Sequence, residues 1–90
     1  MVAHQHFSLI EVKQIGDTLG IDWVAFDVEQ FWVGLEVELE HGARDPQTNV
    51  TDDDALITGK IALAHLKEFP DYYTRLSAME KEADEYWANV

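Results

Sequence analysis

The stretch from Asp52 to Tyr73, DDDALITGKIALAHLKEFPDYY, decides the fold of this chain. When its residues are placed about 100° apart, as in an α-helix, apolar side chains cover nearly every side. Only a narrow polar stripe remains, which carries Lys60 and Lys67. A chain of 90 residues can bury one small core, so this stretch predicts a central, mostly buried helix over residues 52–69.

Two features flank the predicted central helix. Thr51 is expected to cap its start, with the acidic residues 52–54 in the first turn, where they favour the helix dipole. Pro70 disfavours helical geometry at the residue before it but suits the first turn of a new helix. The sequence therefore predicts a kink at Pro70 and a fourth helix over residues 70–87. The side of this helix expected to face the core carries Tyr72, Leu76, Met79, Ala83 and Tyr86.

Two helices nearer the N-terminus are predicted from the capping residues at their starts. Ser8 and Glu11 have the spacing of a capping box, which predicts a helix over residues 9–19. Asp27 repeats the start signal, and apolar residues then recur at helical spacing, which predicts a helix over residues 28–41. The apolar residues of this second helix are Val28, Phe31, Trp32, Leu35 and Leu39.

Residues 35–40 also fit a second interpretation. Leu and Val alternate there with Glu36, Glu38 and Glu40, and alternation is typical of a half-buried strand. The helix is favoured because a strand leaves the cap at Asp27 unexplained. On a helix, the three glutamates are expected to form a solvated acidic face.

These elements predict an all-α fold, a compact bundle of about four helices in one acidic domain over residues 1–90. Residues 1–7 are expected to form a loose N-terminal tail. The second and third helices are expected to form an antiparallel hairpin across a loop at residues 43–50, whose composition is typical of turns. Glycines inside helices cost about 1 kcal/mol relative to alanine. Close backbone approach would explain the small residues Gly34, Gly59 and Ala62.

The composition excludes several classes of function. Eighteen acidic and six basic residues give a formal charge of −12, which repels phosphate backbones and anionic lipids. The chain has no cysteine, no targeting signal and no apolar run long enough to cross a bilayer. We therefore expect a cytoplasmic protein without direct contact to nucleic acid or membrane. The charge would suit a basic protein partner.

Two short motifs pair an imidazole with a carboxylate. They are Glu38-x-x-His41 and His65-x-x-Glu68. In an ideal antiparallel hairpin, His65 would lie about 15 Å along the axis from His41, so the two motifs are not expected to share one site. Glu38, His41 and Asp54 are expected to meet instead and could hold one divalent metal ion. Alternatively, His41 only ends the second helix, where the dipole favours a cation.

Catalytic signals are not found in the sequence. It contains no nucleophile triad, phosphate loop or cysteine cluster, so we predict no catalytic residue and no cofactor. The favoured function is a small non-enzymatic module that binds a protein partner, or a second copy of itself, with Trp87 as a candidate anchor. The alternatives are a His/carboxylate metal-binding domain and an acidic mimic of DNA.

Three segments together resemble a known family of small proteins. They are FDVEQFWVGLEVELEHG, TNVTDDD and GKIALAHLKEFPDYYTRLSAMEKE. They are similar to DUF5661, a domain of unknown function in proteins from prokaryotes and their viruses, over roughly residues 8–82. The resemblance implies a helical domain, and it carries no activity or site residue over to this chain.

Overall fold

The computed structural model describes residues 6–90, and within that range the protein contains four α-helices and no strand. The helices are α1 (Leu9–Thr18), α2 (Val28–Glu38), α3 (Ala55–Glu68) and α4 (Tyr72–Ala88), and one 3₁₀ turn (Leu39–His41) follows α2. The all-α prediction is confirmed, and the strand interpretation of residues 35–40 is wrong. None of these helices is long and apolar enough to cross a membrane.

Side-chain caps set three of the helix starts. Ser8 and Glu11 form the predicted capping box at α1. Asp27 caps α2 by accepting a hydrogen bond from the backbone N–H of Glu29. Asp54, rather than Thr51, caps α3 and accepts from the N–H of Ile57.

The prediction that α3 begins at Asp52 is wrong. Asp52 and Asp53 have φ angles of 50° and 62°, in the left-handed region, so neither can belong to an α-helix. Local hydrogen bonds favour this turn, because Asp52 N–H donates to the Asn49 side chain and Asp53 N–H to the Thr51 hydroxyl. Asp53 also accepts from the N–H of Ala43 and so closes the loop onto the end of the 3₁₀ turn.

The end of α3 and the start of α4 also differ from the prediction. Phe69 is extended, as expected for the residue before a proline, and Pro70 and Asp71 form a turn. Helix α4 therefore begins two residues later than predicted. The kink angle at Pro70 and the antiparallel direction of α2 and α3 stay predictions.

The most buried element is α2, and the expectation that α3 is mostly buried is wrong, although α3, like α2, contacts each of the other helices. Helix α2 contacts each of the other three helices, and residues 33–38 are all buried. Helix α3, in contrast, exposes Leu56 and Ile57. The core that these helices share consists of Val12, Ile21, Phe31, Val33, Leu35, Val37, Ala62, Leu66 and Tyr73.

A glycine allows α2 to be packed this closely. A Cβ atom added at Gly34 would lie 2.5 Å from the Tyr73 ring and 3.1 Å from the Cβ of Ala62. The predicted close approach of Gly34 and Ala62 is confirmed. Gly59 faces Ile15 of α1, Leu19 just beyond the end of α1, and Phe31 of α2.

The end of the N-terminal segment binds to α2. The backbone N–H groups of His6 and Phe7 both donate to Oε2 of Glu36 at 2.9 Å, and Nδ1 of His6 lies 2.7 Å from Oε1. The indole N–H of Trp32 donates to the carbonyl of Phe7. Residues 1–5 of the predicted tail, including His4, lie outside the described residues. Glu36 thus attaches the chain before α1 to the middle of the fold.

We predict that Glu36→Gln loosens this attachment. A glutamine oxygen can still accept both N–H groups but carries no charge, and a hydrogen bond to a charged group contributes about 1.5–3 kcal/mol, against about 0.5–1.5 kcal/mol for a neutral one. The amides of His6 and Phe7 should therefore exchange with deuterium about tenfold faster. Glu40→Gln, on the half-exposed 3₁₀ turn, is the control and should leave both rates unchanged. Equal protection in the Glu36→Gln protein would contradict the attachment.

Candidate functional site

A buried carboxylate, Glu38, lies at the centre of the polar cluster that we consider as the functional site. Glu36 and Glu38 are each only 4% exposed, so the expected solvated acidic face of α2 is wrong. A buried carboxylate requires hydrogen bonds or opposite charges to offset the loss of water. The partners of Glu38 come from three different elements of the fold.

Tyr73, at the start of α4, is the hydrogen-bond partner of Glu38. Its hydroxyl donates to Oε2 of Glu38 at 2.7 Å, and its ring covers Gly34. Burial and this hydrogen bond, together with the negative charge of Glu38, raise the pKa of Tyr73 far above its usual value. The phenol therefore remains a neutral donor at any physiological pH.

Two imidazoles lie on either side of Glu38. The Nε2 atom of His41 lies 3.8 Å from Oε1, and the Nε2 atom of His65 lies 3.9 Å from Oε2. Both distances are too long for hydrogen bonds but allow charge attraction when an imidazole is protonated. The structure therefore brings together the two motifs that the ideal hairpin separated by about 15 Å. Glu38 and His65 each lie one turn beyond the close approach of Gly34 and Ala62.

Aromatic rings hold His65 in place. Its ring stacks on Tyr72 with centroids 4.3 Å apart and meets the ring of Tyr73 edge to face at 6.4 Å. Its Nδ1 atom lies 3.3 Å from Oε1 of Glu68, yet within residues 6–90 that buried nitrogen makes no hydrogen bond. Burial of Tyr72, followed by the charges of Glu38 and Glu68, raises the pKa of Tyr72.

The predicted metal ligands are only partly brought together. Glu38 and His41 are neighbours, but the carboxylate of Asp54 is used to cap α3. His65 lies where Asp54 was expected. In the part of the chain that the structure describes, no group of three or more His, Cys, Asp or Glu side chains is arranged to hold a metal ion.

The cluster contains groups that can carry protons, but it lacks an attacking group. In residues 6–90, no serine or threonine hydroxyl hydrogen-bonds to the imidazole of His41 or His65, so neither forms a nucleophile and base pair. The buried carboxylate of Glu38 accepts a hydrogen bond from the neutral phenol of Tyr73, and the imidazoles of His41 and His65 lie near it without hydrogen-bonding to it. Such an arrangement can bind a cation or stabilise the packing of α2, α3 and α4.

Sequence reasoning missed the burial of Glu36 and Glu38, although a signal was present. Residues two apart on a helix point about 200° apart, so these two carboxylates cannot share one solvated face. Apolar residues lie between them and on every other side of α2, as in Phe31, Val33 and Val37. A helix that is apolar all round is buried, and any carboxylate on it must find a partner.

A second candidate site lies on the C-terminal part of α4, which is exposed. Every residue from Ala78 to Val90 is exposed, so the prediction that Met79, Ala83 and Tyr86 face the core is wrong. The side of α4 that carries Leu76, which packs on the core, continues beyond it as an apolar strip without cover from residues 6–90. We call this the α4 apolar stripe: Met79, Ala83, Tyr86 and Trp87, with Val90 just beyond the end of the helix.

A groove runs between α2 and α4 beside this stripe. Its volume is about 860 Å³, and its apolar lining includes Val33, Val37 and Ala78. We call its three acidic lining residues the acidic rim: Glu29, Glu80 and Asp84. Partial burial of Glu80, followed by the charges of Glu40 and Asp84, raises the pKa of the Glu80 carboxyl.

Comparisons with known proteins identify a family but no characterised relative. A family model described as a protein of unknown function (DUF5661) matches residues 12–82. No curated protein and no solved structure matches the chain. The function must therefore be argued from the geometry of these two sites.

We predict that Tyr73→Phe lowers the free energy of unfolding by about 1–3 kcal/mol, because the buried carboxylate of Glu38 loses its donor. Tyr86→Phe is the matched control and should change it by less than about 0.5 kcal/mol, since Tyr86 is exposed. Chemical denaturation of the two variants and the wild type at neutral pH provides the measurement. Equal stability of all three proteins would contradict the role of the Tyr73 hydroxyl.

The same hydrogen bond predicts a pH dependence. The folded-state pKa of Tyr73 is raised, so its contribution is fully present below the unfolded pKa of about 10 and is lost as pH rises above that value. The wild type should lose stability more steeply above about pH 10 than Tyr73→Phe does.

Proposed function

The chain belongs to the DUF5661 family, and we propose that it is a non-enzymatic, acidic helical module that binds a protein partner with a basic surface through α4. The observation that carries this proposal is the α4 apolar stripe. Met79, Tyr86 and Trp87 are 59%, 61% and 70% exposed. Contiguous apolar surface on a small acidic protein is a feature of interaction sites.

The stripe has the spacing of a helix that packs along a partner. Leu76, Met79, Ala83 and Tyr86 follow each other at steps of three, four and three residues. This spacing keeps one apolar seam along a helix. Trp87 lies at the edge of the seam, and an exposed tryptophan that becomes buried contributes strongly at interfaces. From Ala78 to Ala88 the exposed part of α4 is about 16 Å long.

The charge around the stripe favours a basic partner over a second copy. Between residues 76 and 90 the chain has four acidic residues and a single basic one, Lys81. Two such helices packed on each other would bring like charges together, which is unfavourable. The formal charge of −12 adds long-range repulsion between copies and attraction to a basic surface.

We predict that Trp87→Ala weakens partner binding by about 2 kcal/mol without lowering the stability of the fold. The side chain is exposed, so the change in melting temperature should be small. A photo-crosslinking amino acid in place of the exposed Ala83, which leaves Trp87 intact, should capture a partner with a basic surface in the native cells. Met79→Ser should reduce that crosslink severalfold.

The control places the same photo-crosslinker at position 85, which is turned about 160° away from position 83 around the helix. The crosslinker at position 85 should capture little of the partner protein. A crosslink from position 83 to a second copy of the chain, or equal capture from both positions, would contradict the proposal.

A second candidate function is the binding of one divalent metal ion. The observation that favours it is the arrangement of His41 and His65, whose Nε2 atoms both lie within 4 Å of the buried carboxylate of Glu38. One carboxylate and two imidazoles are a ligand set that suits Zn²⁺, Mn²⁺ or Fe²⁺. Inward side-chain movements of about 1 Å would be needed to shorten these separations to those of ligands around one ion.

Elemental analysis of the purified, untagged protein tests this candidate. Near-stoichiometric metal should be found in the wild type, and His41→Ala and His65→Ala should each lose it. Asp54→Asn is the control, because asparagine also caps helices and the metal should remain. Loss of metal in the Asp54→Asn protein would favour the ligand set that the sequence predicted. A wild type without metal, whose melting temperature ignores added Zn²⁺ and Mn²⁺, would exclude metal binding.

A further inference from the structure

The first residues that the structure describes lie on the side of α2 that borders the α2/α4 groove. The backbone N–H groups of His6 and Phe7 both donate to the carboxylate of Glu36. Around the helix, Glu36 is about 20° from Glu29 and about 60° from Val33, and both of these residues line the groove. The chain before residue 6 therefore starts beside the groove.

Residues 1–5 are long enough to cross this groove. Five residues of extended chain span up to about 17 Å, whereas the axes of packed helices lie about 8–10 Å apart. The volume of the groove, about 860 Å³, falls in the range of pockets that enclose a ligand. A segment that leaves α2 at residue 6 can thus reach Glu80 and Asp84 on α4.

The composition of residues 1–5 matches the lining of the groove. They read MVAHQ, with three apolar side chains followed by His4 and Gln5, and none of them is acidic. The lining offers apolar contacts at Val33 and Val37, with the acidic rim above them. An apolar segment without negative charge can be buried there without like-charge repulsion.

The electrostatics of Glu80 point to the same segment. Burial of Glu80, followed by the charges of Glu40 and Asp84, raises the pKa of its carboxyl, and the positive charge of the chain's N-terminus lowers it. Water and salt screen such an effect over long distances. The effect of this charge supports a position of residues 1–5 close to α4.

The attachment at Glu36 makes docking of such a short segment favourable. A free peptide of five residues would lose its translational and rotational freedom on binding. Residues 1–5 are linked to a point that is already held on α2, so their local concentration at the groove is high. A few apolar contacts can then keep the segment in place.

We propose that the α2/α4 groove is the docking site of the chain's own residues 1–5, which form a strap from α2 to α4. Hydrogen bonds at Tyr73 and Thr74 hold the start of α4 on α2. The strap adds a contact two to three turns farther along, where α4 is exposed. It thereby holds the part of α4 that carries the α4 apolar stripe. This inference goes beyond the proposed function, because it applies whether or not the stripe binds a partner.

Nuclear Overhauser effects (NOEs) between methyl groups test the docking in the untagged chain of residues 1–90. The methyl groups of residues 1–3 should give NOEs to the methyl groups of Val33 and Val37. Met79 is the control, because it is turned about 160° around α4 from Lys81, which lines the groove. Its methyl group should give no NOE to residues 1–3. The absence of NOEs to the groove, or NOEs to Met79 instead, would overturn the inference.

A matched pair of variants tests the chemistry of the docking. Val2→Asp brings a carboxylate to the acidic rim and should abolish the NOEs to Val33 and Val37. The amides of residues 80–84 should then exchange with deuterium severalfold faster, because the strap no longer holds α4. Val24→Asp makes the same change at a side chain that is 96% exposed, and it should alter neither measurement.

Three results with these variants would overturn the inference. The first is that Val2→Asp keeps the NOEs. The second is that the NOEs are lost while the exchange of α4 stays unchanged, which would mean that residues 1–5 are not a strap. The third is an equal effect of Val24→Asp, which would mean that net charge alone is responsible.

Discussion

The burial of two carboxylates on α2 constrains the whole structure. Glu36 and Glu38 lie on a helix that is enclosed by the rest of the protein, so each must be matched by donors. Glu36 takes its donors from the backbone of residues 6 and 7, and Glu38 takes a phenol from α4. A fold that placed the N-terminal segment or Tyr73 elsewhere would leave a charge buried without a partner, which costs far more than a lost apolar contact.

These polar partners also explain why close packing at Gly34 matters. The Tyr73 ring can reach Glu38 only by crossing the surface of α2, and the missing side chain at Gly34 provides the space. The amide N–H of Tyr73 donates to Oε1 of Gln30, which fixes the start of α4 on the same helix. The glycine that weakens α2 as an isolated helix therefore allows both the α3 contact at Ala62 and the Tyr73 hydrogen bond.

Helix positions could be predicted from the sequence, whereas the burial of particular side chains could not. The capping signals at Ser8 and Asp27 are local and fix helix starts without knowledge of the rest of the chain. The sequence does not identify Asp54 as the cap, because the side chains of Asp52, Asp53 and Asp54 can all accept a hydrogen bond from a helix start. Only the left-handed backbone of Asp52 and Asp53 places the start of α3 after Asp54. The contact of Glu38 with His65 depends on how two helices cross, which a pattern along one chain does not contain.

The buried acidic residues of α2 and the exposed acidic residues of α4 have different consequences. Glu36 and Glu38 on α2 are paired inside the fold, so they stabilise one arrangement of helices and are not free to bind a partner. The acidic residues of α4 flank the α4 apolar stripe, and Glu80 and Asp84 repel each other. A positive charge from outside the described fold would therefore stabilise them. The same residue type therefore specifies the fold on α2 and, in the function that we propose, attracts a partner on α4. Burial decides between the two roles, because charges exposed to water interact weakly with one another and remain available to a partner.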